Sequence, residues 1–171
     1  MHKGFPHVAA PSPVPSGNVL ADQLFYSRSR ARHQLGHPYG KQTLWPDHCV
    51  QGTAGAAFHR DLDVPRAELV LRKGFRPDMD SYSAFYENDR RTPTGLAGYL
   101  RERGFARVFL VGLATDFCVH YSAVDARREG FAAVLVEDGC RAIDLARSLA
   151  EALGNMAAAG VERMASDAFA A

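Results

Sequence analysis

The pattern of apolar and polar residues changes character near residue 44. Upstream, the run PSPVPSG contains three prolines, which fix φ and remove backbone donors, and residues 27–37 are basic without a hydrophobic period. Downstream, apolar runs of strand length alternate with segments of helical period. The pattern therefore predicts an irregular N-terminal segment, residues 1–43, followed by one folded domain, residues 44–171.

The downstream part is predicted to alternate strands with helices. Apolar runs of strand length occupy residues 68–73, 106–114, 131–138 and 161–164, and helical patterns occupy residues 94–104, 116–129 and 144–160. Strands that are apolar throughout are typical of a parallel sheet that helices cover on both faces. We therefore expect an α/β fold of Rossmann-like type, in which ligands bind at the carboxyl ends of the strands.

Composition and charge narrow the choice of partners. A net charge of +1 provides no basic surface for nucleic acid, and no apolar stretch is long enough to span a bilayer. The three cysteines are an odd number, and the N-terminus has no apolar stretch of signal-peptide length. These features favour a reducing cytoplasm and argue against a disulfide framework. We expect no nucleic-acid or membrane partner.

Cys118 follows the apolar run 106–114 and falls in the first turn of the next predicted helix. At that position a thiol meets the positive end of the helix dipole and unpaired backbone N–H groups, and both favour the thiolate. The same N–H groups can stabilise the oxyanion that forms when a thiolate attacks a carbonyl. The position of Cys118 is equally compatible with a second interpretation, in which the cysteine is a small buried hydrophobic residue. Other parts of the sequence have to decide between a reactive and a buried thiol.

Three motifs supply that pattern. The chain contains TLWPDHCVQGTAGAAFH at 43–59, LRKGFRPDMDSYSAF at 71–85 and GLATDFCVHYSAVDARREG at 112–130. In this order they closely resemble the nicotinamidase/pyrazinamidase branch of the isochorismatase-like cysteine hydrolases, over roughly residues 38–164. The resemblance implies the isochorismatase-like fold. It also implies hydrolysis of nicotinamide to nicotinate and ammonia through a cysteine thioester, a reaction of NAD salvage.

The resemblance implies roles for individual residues. Cys118 matches the nucleophile, and Lys73 matches the catalytic lysine whose ammonium group stabilises the thiolate and the developing negative charge. In the family the peptide bond before the residue that matches Ala114 is typically cis. The backbone N–H groups of Ala114 and Cys118 match the oxyanion hole. Without its motif, Lys73 is equally typical of a surface lysine at a strand end.

A substrate pocket and a metal site are implied in the same way. Trp45, Tyr82 and Phe85 match aromatic positions that line the pyridine pocket, although aromatic residues at such spacing are also typical of a hydrophobic core. His48 matches one ligand of the family's divalent metal, which is zinc, iron or manganese. The sequence offers no match for the other ligands, so the metal site is incomplete here.

One family segment has no counterpart in this sequence. Family members begin with a strand that ends in the aspartate taking the thiol proton, and a second strand ends in an Asp and a His for the metal. Here the only aspartate before Asp47 is Asp22, which follows no predicted strand. We therefore expect the usual first strand to be absent.

Three functional hypotheses follow from this departure. The chain is an active nicotinamidase, or a truncated or frameshifted remnant without activity, or a related hydrolase acting on a carbamoyl or isochorismate substrate. The sequence leaves open whether the chain forms a homo-oligomer.

Overall fold

The structure, a computed structural model, describes residues 34–37, 39–43, 45–76 and 79–169. The expectation that the first strand is absent concerns residues outside these ranges and stays an expectation. The described chain falls into two compact units. The smaller unit includes Thr43–Arg66, and the larger unit is formed by Gly36–Gln42 and the chain from Ala67 onward.

From Leu96 onward the larger unit alternates helices and strands in the predicted order. Two short strands, β1 (Gln34–His37) and β2 (Gly40–Thr43), pair with each other within the segment that is expected to be irregular. The following elements are α1 (Leu96–Glu102), β3 (Arg107–Leu113), α2 (His120–Arg128), β4 (Ala132–Arg141), α3 (Ser148–Ala158) and β5 (Glu162–Met164). A π-helical turn at Thr115–Val119, called the π-turn below, connects β3 to α2. Short 3-10 turns occupy Ala54–Ala56, Leu145–Arg147 and Ser166–Phe169.

The main sheet is parallel, with strand order β3–β4–β5. Leu110 of β3 lies opposite Leu135 of β4, and the register shifts between Leu110 and Gly112. Val134 of β4 lies opposite Glu162 of β5. The predicted fold class, an α/β fold with a parallel sheet and helices, is confirmed.

The hydrophobic core lies between this sheet and its helices. Ala123 and Ala126 of α2 are fully buried, and they belong to one cluster with Leu135 of β4 and Met156 of α3. Alanines on α2 allow the helix backbone to approach the sheet closely, so the larger side chains fill the remaining space. Alternate residues of β3, such as Val111, point to the other face of the sheet and are exposed in the described chain. The prediction that helices also cover this second face therefore stays an expectation.

The predicted strand at 68–73 is wrong. Residues 68–73 are described, but they are not part of any sheet, and Leu69 and Val70 are 41% and 50% exposed. An extended apolar segment becomes a strand only where a neighbouring strand pairs with its backbone. None of the described strands pairs with this segment, so the segment is not part of a sheet.

None of the helices in the described part combines the length and the apolar character that crossing a bilayer requires.

Candidate active site

The carboxyl end of β3 leads into the π-turn that carries Cys118. The peptide bond between Leu113 and Ala114 is cis, as the resemblance implies. Ala114 is buried, and its carbonyl oxygen accepts hydrogen bonds from the backbone N–H groups of Phe117 and Val119, each at 3.1 Å. These two bonds fold the chain tightly after the strand, so Cys118 lies directly beyond the sheet edge.

The helix predicted at 116–129 is therefore divided. Its first part is the π-turn, and regular α-helix begins only at His120. A π-helical turn widens the backbone locally and is frequent at functional sites. Hydrophobic periodicity does not distinguish it from an α-helical turn, so the sequence could not predict it.

Cys118 and Lys73 are in direct contact. The Nζ of Lys73 donates a hydrogen bond to the Sγ of Cys118 at 3.3 Å and another to the carbonyl oxygen of Ser81 at 2.7 Å. The two residues are 45 positions apart in the chain, so the fold itself brings the amine to the thiol. The pair has the geometry of a thiolate stabilised by an ammonium group.

Ser122 is a site residue that the sequence did not single out. Its Oγ donates to the carbonyl oxygen of Cys118 at 2.6 Å and accepts from the backbone N–H of Ala84 at 2.9 Å. Ser122 therefore joins the nucleophile's turn to the segment containing the DSYSAF motif. Its position four residues after Cys118, on the same helix face, is the signal that could have identified it.

The DSYSAF segment is held by its own side chains as well. Oδ1 of Asp80 accepts from the backbone N–H of Ser81 at 2.7 Å, and the Oγ of Ser81 donates to the carbonyl oxygen of Ser83 at 3.1 Å. Ser81 and Ser83 are both buried. These bonds fix the backbone carbonyl that Lys73 contacts, so they also fix the direction of the lysine side chain.

Two of the three aromatic residues predicted to line the pocket, Tyr82 and Phe85, lie in the larger unit. Tyr82 is half-buried and its ring makes an edge contact with Phe117, with ring centroids 5.8 Å apart. Phe85 is only 3% exposed and packs against Phe131, with ring centroids 6.0 Å apart. Phe85 is therefore a core residue. Trp45 lies in the smaller unit.

An open cavity of about 390 Å³ runs along β3 and α1 and reaches the thiol of Cys118. Lys73, Phe85, Cys118 and Ser122 contribute to its wall, and the remaining lining residues are mostly apolar. Its volume lies within the range of small-molecule sites, which are typically about 300–1,000 Å³. A small aromatic ligand that enters this cavity would meet the reactive pair directly.

His120, which follows the π-turn, is buried beside the site. Burial lowers the pKa of the His120 imidazole below its usual value, and a hydrogen bond with the Asp116 backbone opposes this shift. A histidine in this state stays neutral near pH 7 and adds no positive charge next to Cys118.

The described residues do not form a metal site. His48 is exposed in the smaller unit, and its Nδ1 donates to the carbonyl oxygen of Pro46 at 2.6 Å. In the described ranges, no three His, Cys, Asp or Glu side chains lie close enough together to hold a metal ion. A divalent metal needs several ligands at fixed geometry, so the donors among the described residues do not fit the group that the resemblance implies.

Known proteins resemble this chain in both sequence and structure. The nicotinamidase of Acinetobacter baylyi is 55% identical over 129 residues, which are 75% of this chain and 60% of that protein. The solved structure of a nicotinamidase and pyrazinamidase from Acinetobacter baumanii has a TM-score of 0.79 at 47% identity, covering 85% of this chain and 71% of that one. The pyrazinamidase of Pyrococcus horikoshii in complex with zinc has a TM-score of 0.61 at 33% identity, covering 72% of this chain and 64% of that one.

These similarities confirm the branch that the three motifs indicate. The chain nevertheless spans only about 60% of the length of the Acinetobacter baylyi relative. The isochorismatase domain model matches residues 23–168. The chain therefore belongs to the isochorismatase domain family, and its similarity lies with the nicotinamidases.

Proposed function

We propose that this chain hydrolyses nicotinamide to nicotinate and ammonia. The observation that carries the proposal is the contact of 3.3 Å between the Nζ of Lys73 and the Sγ of Cys118. The names of the similar proteins, nicotinamidase and pyrazinamidase, support a small aromatic amide as the substrate. The cavity beside the thiol is large enough for one such ring.

In the proposed reaction the thiolate of Cys118 attacks the carboxamide carbon, and a carbon–sulfur bond forms as the carbonyl electrons move to oxygen. The oxyanion is stabilised by the backbone N–H groups of Ala114 and Cys118 and by the charge of Lys73. The carbon–nitrogen bond then breaks, and the nitrogen takes a proton from the solvent and leaves as ammonia. Water hydrolyses the thioester to nicotinate, which releases the Cys118 thiolate and returns protons to the solvent.

Other residues have supporting roles in this proposal. Phe85 contributes to the wall of the cavity that is proposed to hold the pyridine ring, and Tyr82, from the same DSYSAF segment, is proposed to contact the ring. The aspartate that takes the thiol proton in the family has no match in this sequence. No step is assigned to a metal, because the described residues offer only His48 of the implied ligands.

Product analysis with the purified chain tests the proposal. The protein is incubated separately with nicotinamide, N-carbamoylsarcosine and isochorismate, and both ammonia and the organic product are measured. We expect ammonia and nicotinate from nicotinamide and no product from the other two compounds. The Cys118→Ala variant should lose this activity, whereas Cys49→Ala, which removes an exposed cysteine, should keep it within about twofold.

Each other outcome contradicts the proposal in a specific way. Turnover of N-carbamoylsarcosine or isochorismate alone would assign the chain to another reaction of the family. A folded chain that converts none of the three compounds would support the remnant hypothesis. Activity that persists in Cys118→Ala would remove this cysteine from the mechanism.

A further inference from the structure

A buried carboxylate two residues before the nucleophile binds three donors from a distant segment. Asp116 is 3% exposed, and its Oδ1 accepts from the backbone N–H of Ile143 at 3.1 Å. Its Oδ2 accepts from the backbone N–H of Asp144 at 2.8 Å and from the hydroxyl group of Ser148 at 2.5 Å. Both oxygens of the buried carboxylate are thus satisfied by one stretch of chain, residues 143–148.

The bound stretch has an unusual backbone. Asp144, Ala146 and Arg147 have φ values of 51°, 51° and 71°, in the left-handed region that residues with a Cβ rarely adopt. Such a conformation persists only where surrounding contacts hold it. The carboxylate of Asp116 supplies contacts at both ends of this stretch. It accepts from Ile143 and Asp144 at the start and from Ser148 at the end.

The same stretch fixes the start of α3. Oδ1 of Asp144 accepts from the backbone N–H of Leu149, the second residue of that helix, at 3.2 Å. The carboxylate of Asp116 accepts from the hydroxyl group of Ser148, the first residue of α3. It therefore lies at the N-terminus of that helix, where a negative charge is favourable. Since α3 also packs against the π-turn, the carboxylate connects the turn that carries Cys118 to a helix of the core.

We infer that Asp116 is a positioning residue for the thiol of Cys118. By tying the π-turn to residues 143–148, it keeps the Sγ of Cys118 within reach of the Nζ of Lys73. Both oxygens of its carboxylate accept hydrogen bonds from these donors, and we assign the carboxylate no part in bond making. The inference rests on the proposed function for its effect on turnover, but its effect on the thiol can be measured without any substrate.

Asp116→Asn is the variant that tests this inference. Asparagine keeps the shape of the side chain, but only one of its two terminal groups accepts a hydrogen bond. Its NH₂ group then faces a donor, so the segment at 143–148 loses a partner and the π-turn loses an anchor. Asp138→Asn is the matched control, because Asp138 accepts from the backbone N–H of Ser166 at 2.8 Å and also from the Ser166 hydroxyl, outside the site.

The readout is alkylation of Cys118 by iodoacetamide, followed by mass spectrometry in a Cys49→Ser background. We expect Asp116→Asn to lower the alkylation rate at pH 7 by about three- to tenfold, because losing the Lys73 charge altogether corresponds to about tenfold. Asp138→Asn should leave this rate unchanged.

The buried Cys140 reports on a general loosening of the fold in the same experiment. If Asp116 has only a structural role, Asp116→Asn will expose both thiols, and the alkylation of Cys118 and Cys140 will rise together. That outcome, or an unchanged Cys118 rate in the folded variant, overturns the inference. If Asp116→Asn does not fold, Ser148→Ala decides, because it removes one donor to Asp116. A decrease of about threefold or more in Cys118 alkylation while Cys140 stays protected supports the inference, and any other result overturns it.

Turnover of nicotinamide separates this inference from the proposed function. With an active wild type, kcat should fall in Asp116→Asn while Cys140 stays protected and KM changes little. If the wild type does not convert nicotinamide, the proposed function is wrong. The alkylation comparison still decides the role of Asp116.

Discussion

Replacing Lys73 with methionine removes the positive charge beside Cys118 and keeps most of the aliphatic side chain. In the structure, the Nζ donates to the Sγ of Cys118 at 3.3 Å and to the carbonyl oxygen of Ser81 at 2.7 Å. The variant loses both bonds. We expect the thiol of Cys118 to react more slowly with an alkylating reagent, because its thiolate has lost the nearest cation.

The separation of the two groups gives the size of the effect. Unit charges at 3.3 Å attract each other by about 1.3 kcal/mol in bulk water and by about 5 kcal/mol at an effective dielectric constant of 20. Lys73 is exposed, so the value for water is the better guide. Since about 1.4 kcal/mol corresponds to a tenfold change, the alkylation rate at pH 7 should fall by about tenfold.

Alkylation with iodoacetamide measures this rate, with Cys49 replaced by serine and the Cys118 peptide followed by mass spectrometry. Arg72→Met is the control, because it removes one positive charge from the adjacent residue and should change the rate by less than about twofold. An equal decrease in both variants would show that the general field of the protein acts on the thiol. An unchanged rate in Lys73→Met would refute the argument that Lys73 stabilises the thiolate.

Three further predictions concern the surroundings of the site. Ser122→Ala leaves the N–H of Ala84 without its acceptor, so the free energy of unfolding should fall by about 1–3 kcal/mol in urea denaturation. Leu135→Ala opens a cavity at a residue that is 1% exposed, and the same assay should show a loss of about 2–5 kcal/mol; a loss below about 1 kcal/mol would contradict the packing described for the core. Because burial lowers the pKa of His120 in the folded state, the unfolded chain binds its proton more readily, and stability should fall as the pH drops below about 6.5. His120→Gln should flatten this dependence, and an equally steep dependence in the variant would exclude His120 as its source.

The strands and helices that could be predicted are those with a strong hydrophobic pattern. The strand predicted at 106–114 is observed at Arg107–Leu113, and the strand predicted at 161–164 is observed at Glu162–Met164. The helix predicted at 144–160 begins only at Ser148. Three residues before Ser148, namely Asp144, Ala146 and Arg147, adopt positive φ values. In a sequence only glycine indicates such a conformation, so these residues gave no sign of it.

What the sequence could not predict depends on contacts between distant segments. The apolar run at 68–73 has the composition of a strand, but a strand also needs a paired neighbour, and periodicity does not reveal one. Lys73 nevertheless reaches Cys118, because the carbonyl oxygen of Ser81 and the thiol together hold its amine. The roles of Asp116 and Ser122 depend in the same way on partners far along the chain.

A competing nucleophile provides the most direct test of the central claim, that the Cys118 thiolate forms a covalent thioester with the substrate. Nicotinamide is incubated with the chain in the presence of hydroxylamine, and both nicotinate and nicotinohydroxamate are measured. If a thioester forms, hydroxylamine will divert part of the product to the hydroxamate, and Cys118→Ala will form neither compound. Release of nicotinate at an undiminished rate without any hydroxamate would contradict the account.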